Sequence, residues 1–168
     1  MKYYIAAPIF LVGFLIQTTL SFVNILGFFP NIVLCLMVVF SFLYDENYGI
    51  ILGIIFGVLL DLSTQQYFGT MTLLIVLSYV PIFFLRHVFN NEKVLPDMLM
   101  SVIATLIYAF GGWTIHHIFG SPVSIGSVID ILPALVISNA IIVCVMHLIL
   151  VRTIIRHRKD RSYYGGVV

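Results

Sequence analysis

Six apolar stretches fill nearly all of this chain and leave only short connections between them, roughly Tyr3–Val23, Pro30–Tyr44, Tyr48–Leu62, Gly69–Phe89, Asp97–Phe119 and Ile129–Val151. A bilayer core of about 30 Å takes about 20 helical residues per crossing. The 168 residues therefore hold about six crossings and leave no room for an extramembrane domain. Only 9% of residues are charged, against about 25% in an ordinary soluble domain. So few charges cannot build a water-facing shell, and acyl chains are the expected solvent.

The apolar runs are continuous and do not alternate as the strands of a membrane barrel would. A helix satisfies its own backbone in lipid, where each unpaired amide costs several kcal/mol. The expected fold is all-α and polytopic, with residues 1–151 as a single transmembrane helical domain and 152–168 as a basic tail. The first stretch is too long for a cleaved signal peptide, and no small-residue cleavage pattern follows it.

All eight Lys and Arg fall on one side of such a topology. Lys2 precedes the first stretch, Arg86 and Lys93 lie between the fourth and fifth, and Arg152, Arg156, Arg158, Lys159 and Arg161 follow the sixth. Basic residues are enriched in cytoplasmic loops, so both termini are expected in the cytoplasm. The second and third stretches reach only about 22 Å at 1.5 Å per residue. They flank Asp45-Glu46-Asn47, which predicts either a tight hairpin in a thinned bilayer or a re-entrant pair; both keep the orientation. Pro81 predicts a bend in the fourth helix, and Pro133 either kinks the sixth or marks its start. The tail ending in Tyr163-Tyr164-Gly165-Gly166 reads as flexible, held to the inner leaflet by its charges.

Residues able to carry chemistry are few. Gly49, Gly53, Gly57 and Asp61 recur at i, i+4 and form one narrow helical stripe. Small residues at that spacing allow close helix approach in a membrane, either inside this chain or toward a partner helix. Asp61 can cap neighbouring helix ends, contact a partner or couple to protons. An ionisable residue in a membrane segment is a functional candidate by default, and capping with Ser63 and Thr64 is the simplest use. Gln17 and Asn139 fall about 9 and 15 Å below the external surface and are read as hydrogen-bonded glue between the first and sixth helices. His116 and His117 are adjacent and point to different faces, which suits interfacial anchoring beside Trp113 and Phe119. Cys35 and Cys144 lie within apolar stretches and behave as small hydrophobes. No catalytic constellation, cofactor loop or metal-ligand spacing emerges, and neither an enzyme nor a nucleic-acid partner is expected.

Phe29-Pro30-Asn31 before an apolar run, then the Gly49, Gly53, Gly57 series closing on Leu60-Asp61-Leu62, then Phe68-Gly69, resembles the MreD family of rod shape-determining proteins. The likeness is clearest over residues 25–90. The family often places Asp after the Pro where this chain has Asn31, and a Gly- and Pro-rich external turn where it has Gln65-Gln66-Tyr67-Phe68. The resemblance implies a non-catalytic scaffold without cofactors in the bacterial inner membrane, within the machinery for lateral peptidoglycan synthesis. It implies MreC as partner, with MreB, a RodA-type polymerase and a class B penicillin-binding protein nearby. Gly49, Gly53, Gly57, Asp61, Pro30, Asn31 and Gly69 become the candidate partner-interface residues. The alternative is the substrate-binding subunit of an ECF-type vitamin transporter, similar in size and helix number. Its pocket would need polar groups such as Gln17, Asn24, His116 and Asn139.

Overall fold

A computed structural model of the chain describes residues 3–23, 30–43, 46–64, 67–86, 94–120 and 122–164. They form six helices: α1 (Tyr3–Val23), α2 (Ile32–Leu43), α3 (Glu46–Thr64), α4 (Thr70–Leu85), α5 (Val94–Ile118) and α6 (Ile125–Tyr164). Each expected stretch corresponds to one helix. Two differences stand out. Helix α6 begins before Pro133 and absorbs it in its interior, so that proline does not mark the start. Its backbone also continues through the basic segment to Tyr164, where a flexible tail was expected; Gly165 and Gly166 lie outside the described residues. The Asp45-Glu46-Asn47 turn lies partly outside them too.

The architecture is a helix wrapped by helices. Helix α2 touches all five others, whereas α1, α3, α4, α5 and α6 follow one another around it through α1–α3, α3–α4, α4–α5 and α5–α6 contacts. Every residue from Asn31 to Phe42 is buried, and Val33 through Phe40 are at most 1% exposed. At 1.5 Å per residue, the 12 residues of α2 span about 18 Å. That is too short to cross a bilayer, but α2 is buried among the other five helices. Its flanking helices turn the opposite way: Leu11, Leu15, Leu73, Phe84, Ile137 and Ile141 all point outward. Soluble monomers rarely expose so much contiguous apolar surface. Helices α5 and α6, over Val94–Ile118 and Ile125–Val151, are long and apolar enough to cross a membrane; the remaining apolar helices are shorter.

The glycine stripe of α3 lies inside this wrap. A β-carbon on Gly49 would meet Ser41 Oγ and sit 2.7 Å from the Met37 carbonyl oxygen. At Gly53 it would lie 3.0 Å from Met37 Cγ and 3.3 Å from Ile75 Cγ2, and at Gly57 3.0 Å from Ile75 Cδ1 and 3.2 Å from Thr72 Cα. The stripe is thus filled by α2 at one end and α4 at the other. Dispersion from close contact is a main source of helix association in lipid, so these three glycines set how tightly α3 seats.

Backbone neighbours at Gly49 cannot move aside as a flexible side chain can. Gly49→Ala is expected to cost about 1–3 kcal/mol through overpacking and to lower the thermal midpoint in detergent. Gly112→Ala, whose β-carbon would stand 3.5 Å from Leu74 Cδ1, is the control expected to leave the midpoint unchanged.

Candidate functional site

Four polar side chains, Gln17, Asn31, Asp61 and Asn139, are spent on helix ends. At the start of α2, Pro30 has no N–H to satisfy. Asn31 follows as the N-cap: its Oδ1 accepts from Leu34 N–H at 3.0 Å, and its carbonyl accepts from Cys35 N–H at 3.0 Å. Asn is among the best N-cap residues, equivalent to Asp in this role, which accounts for either residue after the Pro. Two other helices complete the cap. Gln17 Oε1 of α1 accepts from Val33 N–H, and Asn139 Oδ1 of α6 accepts from Asn31 N–H, each at 3.0 Å. Asn139 Nδ2 then donates to Thr105 Oγ1 at 2.9 Å, and Thr105 donates to the Ser101 carbonyl at 2.7 Å. Gln17 and Asn139, expected to join α1 to α6 directly, instead both reach the backbone of α2. The end of a helix carries orphan amides, and burying this one makes those amides the strongest local demand for acceptors.

A second cap closes the α3–α4 corner. Asp61 is 3% exposed. Its Oδ1 accepts from Met71 N–H at 2.7 Å, and its Oδ2 accepts from Thr72 N–H at 3.0 Å and Thr72 Oγ1 at 2.6 Å. Gly69 occupies the N-cap position of α4 at φ 91°, with no side chain to offer. That left-handed conformation is one that glycine adopts readily, and the space around it is open. The carboxylate is therefore supplied by the preceding helix, where it also complements the positive end of the α4 dipole. Asp61 falls in register with Gly57 because α3 must approach α4 closely for its carboxylate to reach those amides.

One further buried pair is marked by no motif in the sequence. His147 Nδ1 of α6 and Asp97 Oδ2 of α5 lie 2.6 Å apart, with side chains 1% and 0% exposed. Asp97 Oδ1 is buried without a hydrogen-bond partner among the described residues. The available signal was two ionisable residues at opposite ends of consecutive, antiparallel apolar helices, which a hairpin brings to the same depth.

On the opposite face, aromatic rings gather around the α5–α6 turn. Tyr67 stacks on Phe119 at 4.5 Å and meets His116 edge-on at 5.4 Å, while Trp113 stacks on His117 at 5.1 Å. Trp113 Nε1 donates to the Val123 carbonyl at 3.1 Å. Tyr67, Trp113, His116 and Phe119 help line an open hollow of about 660 Å³. The two histidines thus serve two separate ring clusters, as adjacent positions on a helix require. Of the candidate interface residues, Gly49, Gly53, Gly57, Asp61 and Asn31 are buried within the chain, and Pro30 and Gly69 are half-buried.

Two outcomes test these assignments. Asp61→Ala leaves the first turn of α4 without its acceptor and is expected to cost about 1–2 kcal/mol, the scale of a lost N-cap; Asp61→Asn should recover part of it. His147→Leu strands the buried Asp97 carboxyl and is expected to cost about 3–5 kcal/mol, whereas the Asp97→Leu/His147→Leu double variant should regain most of the loss. Thermal midpoints of the purified variants in one detergent read both; a double variant no more stable than the single would refute the pairing.

Comparison with curated proteins and with solved structures gives no significant match. The family model described as rod shape-determining protein MreD matches residues 1–156, a span that includes both caps, the glycine stripe and the Asp97–His147 pair. The chain therefore belongs to the MreD family of rod shape-determining membrane proteins.

Proposed function

We propose that this chain is a non-catalytic scaffold of the cell-elongation machinery, binding MreC and helping to organise lateral peptidoglycan synthesis. It would lie in the bacterial inner membrane as six helices with both termini cytoplasmic. MreB, a RodA-type polymerase and a class B penicillin-binding protein would be its wider neighbours. The family assignment over residues 1–156 is the observation that carries this reading. The use of Asp61, Gln17, Asn31 and Asn139 as helix caps agrees with a structural role.

The candidate interface residues enter this proposal indirectly. A partner helix reaching Gly53 or Gly57 would have to displace Met37, Ile75 or Thr72. In our reading, Gly49, Gly53, Gly57 and Asp61, with Pro30, Asn31 and Gly69, fix the positions of α2 and of the α3–α4 corner that MreC would meet. The vitamin-transporter alternative loses two of the polar groups its pocket would need, because Gln17 and Asn139 are occupied by the start of α2; His116 lines the hollow at the α5–α6 turn, and Asn24 lies outside the described residues.

Purification of the tagged chain from its own membranes in mild detergent is expected to recover a single-span protein with a periplasmic coiled coil, together with wall polymerases. Recovery of paired ATPases with a coupling membrane subunit would instead make it a transporter component. Orientation has its own test. A cysteine placed at Gln65 should react with a membrane-impermeant maleimide from outside intact cells, and one at Lys93 only after permeabilisation. Labelling in the reverse order would invert the topology.

A further inference from the structure

The ring of helices around α2 is not closed. Among the described residues no Cα of α1 lies within 8 Å of one in α6, and between them runs a groove of about 540 Å³. Val12 and Ile16 form one wall, Ile141, Val145 and Ile149 the other, and Ile32 of α2 lies at the floor. We infer that this seam is a binding site for one acyl chain of an anionic phospholipid, whose head group lies at the end shared by the start of α1 and the end of α6.

Three observations select that occupant. The seam is narrow: the walls are about half exposed, Val12 at 55% and Val145 at 50%, yet Ile32 beneath them is only 6% exposed. A helix, about 10–12 Å across with its side chains, would need a gap that leaves α2 far more open. The walls also lack what draws membrane helices together, which is small residues for close approach or polar groups for hydrogen bonds. They are mainly branched aliphatic, and the one glycine, Gly13, is already filled from behind, since its β-carbon would lie 2.5 Å from Leu36 Cδ1. Finally, charge marks one end. Arg152 and Arg156 follow Ile149 by about one and two turns of α6, and each basic residue near an anionic lipid surface contributes about 1 kcal/mol. A chain lying in the groove, with its phosphate toward that end, meets both demands.

The test is native mass spectrometry of the delipidated full chain after titration with phosphatidylglycerol or phosphatidylcholine. One phosphatidylglycerol per chain is expected to persist, at least about fivefold more tightly than phosphatidylcholine, the ratio that one basic contact of this size provides. Val145→Trp should remove the bound lipid while leaving helical content and thermal midpoint unchanged. Val12→Trp on the facing wall should do the same and serves if the first variant fails to fold. Arg152→Gln/Arg156→Gln should reduce the preference between head groups to near parity while the chain still binds. Lipid retained equally by wild type and both tryptophan variants would overturn the assignment. So would a benzophenone side chain at Ile141 that crosslinks, in native membranes, to a protein and not to phospholipid, which would give the seam to a partner helix.

Discussion

The rest of the structure depends on a short helix buried along its whole length and on the acceptors that its first turn requires. Helix α2 is too short to cross a bilayer alone, and its amino end is buried in protein, with Asn31 5% exposed, where water cannot be relied on to satisfy its amides. An unpaired amide there would cost several kcal/mol. Asn31 meets part of the demand locally, and Gln17 from α1 and Asn139 from α6 meet the rest. These bonds place α1 and α6 on either side of α2, with the seam between them. Pro30 contributes by having no amide of its own to satisfy.

The same logic governs the α3–α4 corner. Gly69 gives the chain a left-handed turn but no capping side chain, so the acceptor comes from Asp61 one helix earlier. For that carboxylate to reach Met71 and Thr72, α3 must run close against α4, and Gly57 permits it. The stripe and its terminal acid thus form one device, in which small residues bring the helices together and the acid fastens the end. The shape-determining assignment suits a protein whose polar residues are committed to holding helices in place.

Much of this was legible in the sequence. The positions of the six helices followed from the apolar runs and the short polar breaks. The spacing of Gly49, Gly53 and Gly57 marked a close helix contact, and Asp61 beside Ser63 and Thr64 suggested a cap. Gln17 and Asn139 were recognisable as buried hydrogen-bonding groups, although their shared partner was not. In a soluble bundle the apolar stripe tells which face looks inward. Here lipid and protein interior are equally apolar, so α2 carries no mark in its sequence that distinguishes the centre from the rim.

By itself, then, the sequence determined that the chain is helical, that acyl chains are its solvent and roughly where its six helices lie, because these depend on transfer free energy and local backbone demands. Tertiary structure alone decided which helix lies at the centre and which two leave the ring open. It also decided that Asp97 meets His147 across a hairpin, and that the glycine stripe is filled by Met37, Ile75 and Thr72 of this same chain. Those outcomes depend on shape complementarity between apolar surfaces of similar composition, and only the packed helices resolve them.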